Sequence, residues 1–224
     1  MEIRPIAHIR TEFPEKFGIP RQSGLAEHLV GKIVFEEEFR NQDAFRGLED
    51  FSHLWLIWEF SANKHDARQP TVRPPRLGGN AHMGVFATRS PYRPNPLGLS
   101  CVEISSIDMQ TPEGPIIYVK GADLMDGTPI YDIKPYLPFS DIHTDATSGF
   151  AEDITQKKLE VIIPEHLESI VSKETMAIIM SILKEDPRPG FHNDNQRIYV
   201  FSFENMEIKF KVDGDNLYVV DIIK

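Results

Sequence analysis

The feature that most limits what this chain can become is a succession of short β-branched and aromatic runs, parted by turn-forming clusters, over its first 150 residues. His53 to Phe60 (HLWLIWEF) is almost continuously apolar and reads as a strand buried on both faces. Lys32 to Phe35, Leu99 to Ile107 and Ile116 to Val119 read as further strands, and Ile3 to Ile9 as a short apolar one. Thr111-Pro112-Glu113-Gly114 is turn chemistry, because Pro presets φ and Gly takes a position that a side chain would resist. Asn41 to Leu48 reads as one short helix capped by Asn41. Strands and helices do not alternate in the repeating way that a doubly wound parallel sheet needs, so the expectation is a closed or strongly curved antiparallel sheet.

A second, smaller unit begins near Lys158. Ser172 is placed to cap a helix whose apolar residues Met176, Ile179, Met180 and Leu183 recur at i, i+3, i+4 and i+7. Pro187 and Pro189 stop it. Arg197 to Phe203 and Met206 to Val212 then read as strands, and Asp213-Gly214-Asp215-Asn216 turns the chain into Leu217 to Ile223. The expected organisation is a β-rich body over 1–150 and an α+β unit over 158–224.

Function classes narrow next. The hydrophobic fraction of 41% supports a packed core. No apolar run approaches the roughly 18–20 residues of a membrane span, and Met1-Glu2-Ile3-Arg4-Pro5 does not resemble a signal peptide. A single cysteine, Cys101, rules out an intrachain disulfide framework and fits a cytoplasmic location. Within a strand it reads as a small buried hydrophobe. The net charge of −10 argues against a general nucleic-acid binder. Residues 61–100 nonetheless carry Lys64, Arg68, Arg73, Arg76, Arg89 and Arg93 against Asp66 alone, a net of +5, which leaves −15 for the rest. A cationic segment on an acidic body suits one anionic ligand at one place; a solvated Arg-rich loop without function has the same count.

That segment has neither helical nor strand period between Ser61 and Asn80, a length uncommon in compact domains without a function. No phosphate loop of the G-x-x-x-x-G-K-[ST] kind and no G-x-G-x-x-G fingerprint occurs. The eight histidines lack metal-ligand spacing, and no metal is expected. Two segments stand out instead. Thr88 to Ser100 (TRSPYRPNPLGLS) packs three prolines, two arginines and a glycine into a rigid loop ahead of a strand. Asp126 to Tyr136 (DGTPIYDIKPY) opens with a turn and places Asp132 and Lys134 on one face of an extended strand. Either alone is also what a plain structural turn looks like.

These two segments, about 25 residues apart, strongly resemble the TsaA-like family (also called YaeB or VirR). Arg4 to Phe13 (RPIAHIRTEF), Phe17 to Gln22 (FGIPRQ) and Asp186 to Pro189 (DPRP) are similar to its longer members, so the likeness covers nearly the whole chain. The family's characterised bacterial members are tRNA (N6-threonylcarbamoyl-adenosine-37-N6)-methyltransferases of the TrmO type. The resemblance implies a mainly β fold, a single-sheet antiparallel β-barrel with a small C-terminal α+β domain. It further implies S-adenosylmethionine as cofactor, a homodimer, and the anticodon loop of a tRNA, a threonine tRNA, as partner. Carried over residue by residue, the cofactor site takes Pro20, Arg21 and Gln22 from the first loop, and Lys64 and His65 from the basic loop. Arg89, Leu99, Asp126, Gly127, Thr128 and Pro129 complete it.

The acceptor nitrogen of N6-threonylcarbamoyl-adenosine belongs to a urea and is a poor nucleophile until it loses its proton. Asp132, His65 and Tyr131 are the candidate bases. Position 37 is unpaired and can be splayed out and stacked; Tyr92 and Tyr136 are candidate platforms, and Arg68, Arg73, Arg76 and Arg93 candidate phosphate contacts. The rival readings are a non-catalytic RNA-binding β-barrel module, which ignores the cofactor, and a methyltransferase for a non-tRNA substrate.

Overall fold

The computed structural model describes residues 2–20, 23–24, 29–63, 70–74, 77, 81–152, 158–188 and 194–224. In the first half the strands are β1 (Ala7–Arg10), β2 (Val30–Phe35), β3 (His53–Glu59), β4 (Thr71–Val72), β5 (Met83–Gly84), β6 (Leu97–Thr111), β7 (Gly114–Lys120) and β8 (Thr128–Pro135). Six of them close into one antiparallel barrel in the order β1-β2-β7-β6-β3-β8, with β8 returning to β1. Closure satisfies the ladder groups that an open edge would leave unpaired. Ile9, Ile33, Leu54, Leu56, Ile117 and Ile130 are fully buried inside.

The run His53 to Phe60 is not buried on both faces. Leu54, Leu56 and Trp58 point into the barrel, while Trp55, Ile57 and Glu59 look outward and are half-buried. A small closed barrel has one interior and no helical layer outside, so only alternate positions can be fully enclosed. The expected helix at Asn41 is likewise shorter. Asn41 does cap it, accepting from the Asp43 amide at 3.0 Å, but the turn is a 3-10 helix over Gln42–Phe45. Gly47, at φ 86°, then breaks the path before a second 3-10 turn at Leu48–Asp50. The expected coil of Ser61 to Asn80 contains β4, which pairs with β5. The Pro-rich loop ends sooner than its composition suggests, since Leu97 to Ser100 already belong to β6, directly after the last proline.

The later elements are α1 (Pro138–Asp141), β9 (Glu160–Ile162), α2 (Glu165–Glu168), α3 (Lys173–Lys184), β10 (Tyr199–Phe203), β11 (Met206–Asp213) and β12 (Asn216–Ile223). The last three strands and β9 form a sheet in the order β10-β11-β12-β9, with β9 parallel to β12. Helix α3 starts where the sequence places it, with Ser172 Oγ accepting from the Thr175 amide at 3.0 Å. It buries Met176, Ile179, Ile182 and Leu183. Met180, at i+4 from Met176, packs against the same core while staying partly exposed, and Ile182 joins the stripe as a further buried residue. This second core is not purely C-terminal. Phe13 and Leu29, from either side of the β1–β2 connection, belong to it, and Phe13 meets Phe203 edge-on at 5.6 Å. Gly18 fits there because a Cβ would come within 2.6 Å of the Phe201 ring. The β1–β2 connection is thus anchored on the C-terminal sheet before it returns to the barrel.

Candidate functional site

Barrel topology brings three connections to one rim. Strands β1, β3 and β7 end there at Arg10, Glu59 and Lys120, and β2, β6 and β8 begin there at Val30, Leu97 and Thr128. Adjacent strands of an antiparallel barrel run in opposite directions, so the ends of β1, β7 and β3 and the starts of β2, β6 and β8 share a side. Hydrogen bonds lock the connections together. Lys16 Nζ donates to the Ala62 carbonyl at 2.7 Å and to Asn63 Oδ1, joining the β1–β2 connection to the chain after β3. The Gly24 amide donates to the Gly121 carbonyl at 2.9 Å, and the Gly121 amide to Leu29 O at 3.1 Å. The Phe60 amide reaches Pro96 O at 2.8 Å.

The Asp126–Pro129 turn is stitched to the end of β1. Asp126 Oδ1 accepts from the Thr11 amide at 3.1 Å, and its other oxygen faces Arg10 Nη1 at 3.5 Å. The Gly127 amide donates to Ile9 O at 2.9 Å with Gly127 at φ 73°, a left-handed position that favours glycine. Thr128 is buried and donates to Met125 O at 2.7 Å, and Pro129 is buried. Of these four residues only Asp126 presents a polar side-chain group to solvent, and part of its bonding capacity already goes to holding the turn. Pro20 is buried on the facing connection. Arg21, Gln22, Lys64 and His65, and the phosphate candidates Arg68 and Arg76, lie outside the described residues.

Along the outer wall, Asp132, Ile57 and Leu99 stand in one cross-strand row, and Leu99 is 57% exposed. The row beside it depends on a β-bulge. Ile57 pairs with Asp132 but Trp58 pairs with Ile130, so Tyr131 is the extra residue. A regular strand would turn Tyr131 inward; the bulge sends Tyr131 and Asp132 to the same outer face. There the Tyr131 hydroxyl donates to Glu59 Oε2 at 2.5 Å. That bond, with burial and the carboxylate's charge, pushes the phenol pKa up to about 12, so Tyr131 stands as a hydrogen-bond donor at neutral pH. Asp132 Oδ2 pairs with Lys134 at 2.9 Å, and its Oδ1 accepts the Ile133 amide at 3.0 Å.

The Pro-rich connection is braced by its own hydroxyls. Thr88 Oγ1 donates to Val85 O at 2.9 Å, the Ser90 amide to Thr88 Oγ1 at 3.3 Å, and the Tyr92 amide to Ser90 Oγ at 3.2 Å. Arg93 folds back onto Thr88 O at 3.0 Å, and Tyr92 is exposed. Arg73 is exposed on the loop between β4 and β5, with Nε on His82 Nε2 at 3.1 Å. Tyr136 is not part of this cluster. It follows the far end of β8 and packs on Trp55 at 5.6 Å, roughly 20 Å along the wall from the rim by strand rise. Cys101 faces outward opposite Trp55 and is half-buried, in place of the interior position expected; burial, and secondarily the Asp141 carboxylate, raise its pKa and keep it a thiol. Among the described residues no group of three His, Cys, Asp or Glu is arranged to hold a metal, and no helix is long and apolar enough to cross a membrane.

Three polar residues at this rim escape the sequence reading. Glu59 ends a strand whose composition is otherwise apolar. Ser100 is buried, accepts from Trp58 Nε1 at 2.9 Å and donates to Asp123 Oδ1 at 2.6 Å. Asp123 lies between buried Ala122 and Leu124, and desolvation raises its pKa against the opposing pull of Ser100, its own amide, Arg89 and the Ser23 amide. A carboxylate flanked by apolar residues was the available signal.

Comparison with known proteins agrees with this architecture. Residues 8–142 match the family model for the tRNA-methyltransferase O N-terminal domain, and residues 156–224 that for the TrmO C-terminal domain. The tRNA (adenine(37)-N6)-methyltransferase of Escherichia coli K12 is 36% identical over 219 residues, covering 94% of this chain and 93% of that one. A putative S-adenosylmethionine-dependent methyltransferase of Pseudomonas aeruginosa, RcsF, is 39% identical over 196 residues, 84% of this chain and 82% of its own. The crystal structure of TrmO from Pseudomonas aeruginosa superposes with a TM-score of 0.77 at 29% identity, over 100% of this chain and 99% of that one. With both halves matched in order and nearly the full length covered, the chain belongs to the TrmO family of tRNA methyltransferases.

Proposed function

We propose that this protein transfers a methyl group from S-adenosylmethionine to N6 of N6-threonylcarbamoyl-adenosine at position 37 of a tRNA, a threonine tRNA, acting as a cytoplasmic homodimer. The observation that carries the reading is the bulge at Tyr131, which sets a carboxylate and a phenol side by side on the outer wall next to the exposed Leu99.

The residues at the rim suit the cofactor chemically. It carries a carboxylate, an ammonium, a sulfonium and a nucleoside. The rim offers Arg89, the carboxylate of Asp126 and the apolar surface of Leu99. Gly121 permits close backbone approach there, since a Cβ would stand 3.0 Å from the backbone of Gly24. When bound, S-adenosylmethionine supplies a methyl group already activated for in-line displacement. Arg89 is suited to the carboxylate, Asp126 to donors of the sugar or amine, and Leu99 to an apolar face. Arg21, Gln22, Lys64 and His65 are assigned to the same site by resemblance.

The protein's remaining tasks are to orient the acceptor and to take its proton. Asp132 is assigned as the group that accepts the N6 proton, with His65 as the alternative base. Tyr131 and Glu59 hold a fixed donor–acceptor pair beside it. Tyr92 is an exposed platform for the splayed base. Exposed apolar side chains on the wall and its flank, Leu99, Phe139 and Ile142, favour a second copy as their cover. Cys101 is a free thiol, consistent with a reducing compartment.

The test is methyl incorporation from labelled S-adenosylmethionine into two bulk tRNA pools, one from normal cells and one from cells without the threonylcarbamoyl modification. Incorporation into the normal pool alone is expected. Incorporation into neither, with cofactor binding intact, sends the substrate to another class of molecule; no cofactor binding leaves a non-catalytic RNA-binding barrel. Arg73, with Arg68, Arg76 and Arg93, is assigned to tRNA phosphates. Arg73→Ala is expected to weaken binding across tRNA sequences and to lower the log–log salt slope by about 0.7–0.9. An unchanged slope removes Arg73 from the tRNA surface.

A further inference from the structure

Asp123 joins the three connections that meet at the rim. Its Oδ1 accepts from Ser100 Oγ at 2.6 Å, and Ser100 is itself fixed from inside the barrel by Trp58 Nε1 at 2.9 Å. The Ser23 amide, in the β1–β2 connection, and the positive charge of Arg89, in the Pro-rich connection, both favour the charged form of this carboxylate. Two residues earlier, Gly121 O takes the Gly24 amide at 2.9 Å and the Gly121 amide donates to Leu29 O at 3.1 Å, so the β1–β2 connection is pinned here twice. Desolvation opposes the charged form of Asp123. A neutral acceptor such as Asn would satisfy Ser100 and Ser23 without that cost, so a purely structural role does not call for a carboxylate. What Asn would not supply is an attraction for the Arg89 guanidinium.

We propose that Asp123 is a positioning residue of the methyl-donor site. Held by Ser100 and Trp58, its carboxylate draws the Ser23 end of the β1–β2 connection and the Arg89 side chain to the rim. It thereby sets affinity for S-adenosylmethionine without touching the reacting atoms. The inference rests on the methyltransferase reading above.

The first measurement is calorimetric titration of the wild-type protein with S-adenosylmethionine; failure to bind overturns the methyltransferase reading and this inference with it. Given wild-type binding, Asp123→Asn is expected to raise the dissociation constant about tenfold, as loss of a charge-assisted contact does. KM for S-adenosylmethionine should rise in parallel, with kcat at saturating cofactor and KM for tRNA held at wild-type levels. Hydrogen exchange at the Gly24 amide should be faster in the ligand-free variant, a readout that needs neither cofactor nor catalysis. Ser100→Ala keeps the carboxylate but removes the bond that orients it, and is expected to shift affinity and Gly24 exchange in the same directions by less. It decides the matter if Asp123→Asn does not fold. Wild-type affinity together with wild-type Gly24 exchange overturns the proposal, and so does a fall in kcat at saturating cofactor with affinity intact.

Discussion

Asp132→Asn is expected to lower kcat by about 10²–10⁴-fold, the usual contribution of a positioned general base, while S-adenosylmethionine binds as it does to the wild type. Asn is close to isosteric and keeps an oxygen for the Ile133 amide, which now donates to Asp132 Oδ1 at 3.0 Å, so the bulge should survive. The lost ion pair to Lys134 is exposed, with side-chain accessibilities of 62% and 45%, and contributes little to stability. A rate loss in a normally folded, cofactor-binding variant is therefore a chemical effect. Glu59→Gln is the instructive companion. It leaves Tyr131 an acceptor but removes the second carboxylate of the face. If Asp132→Asn retains wild-type kcat and Glu59→Gln does not, the base is Glu59; if both retain it, His65 becomes the remaining candidate.

The largest expected loss of stability comes from a single methyl group at Gly98. A Cβ there would stand 2.3 Å and 2.4 Å from Cε2 and Cζ2 of Trp58, closer than real carbon atoms approach. Gly98 is required for space, since it is absent from the glycines with positive φ. The obstacle is the body of an indole and not the tip of a flexible chain. Trp58 is held by its Nε1 bond to Ser100 and by an edge contact with Phe60 at 4.3 Å. Overpacking of this kind costs about 1–3 kcal/mol, and pulling Nε1 from its acceptor adds about 1–3 kcal/mol for a buried donor. Gly98→Ala should therefore lose about 2–6 kcal/mol in denaturant unfolding, with the midpoint shifting and the slope unchanged. Because Ser100 also orients Asp123, the folded fraction should bind S-adenosylmethionine more weakly. A loss below about 0.5 kcal/mol, the size of an ordinary surface change, would mean that Trp58 moves freely and that the Ser100 link is not rigid.

Elements whose signals are local follow from the amino-acid order alone. Turn chemistry at Thr111–Gly114, Pro-free apolar runs and the missing strand–helix repeat pointed to a closed or strongly curved antiparallel sheet. A period of 3.6 residues and a capping Ser172 specified α3. Those signals reside in φ preferences and side-chain spacing, which act within a few residues of one another. The two motifs, with the resemblance they carry, also pointed to the rim turn at Asp126 and to Asp132.

Tertiary structure decided the rest. Which face of His53 to Glu59 turns inward followed from barrel closure, since both faces are apolar enough to be buried. Tyr131 shares a face with Asp132 only because the pairing with β3 slips by one residue, a property of two strands in register and of neither alone. Phe13 and Leu29 joined a core built mostly from residues beyond 158, where no local pattern could assign them. The Trp58–Ser100–Asp123 chain spans 42 and 23 positions in sequence. Each link is an ordinary residue in its own segment, and becomes a site only when closure of the barrel brings the three segments within hydrogen-bond reach.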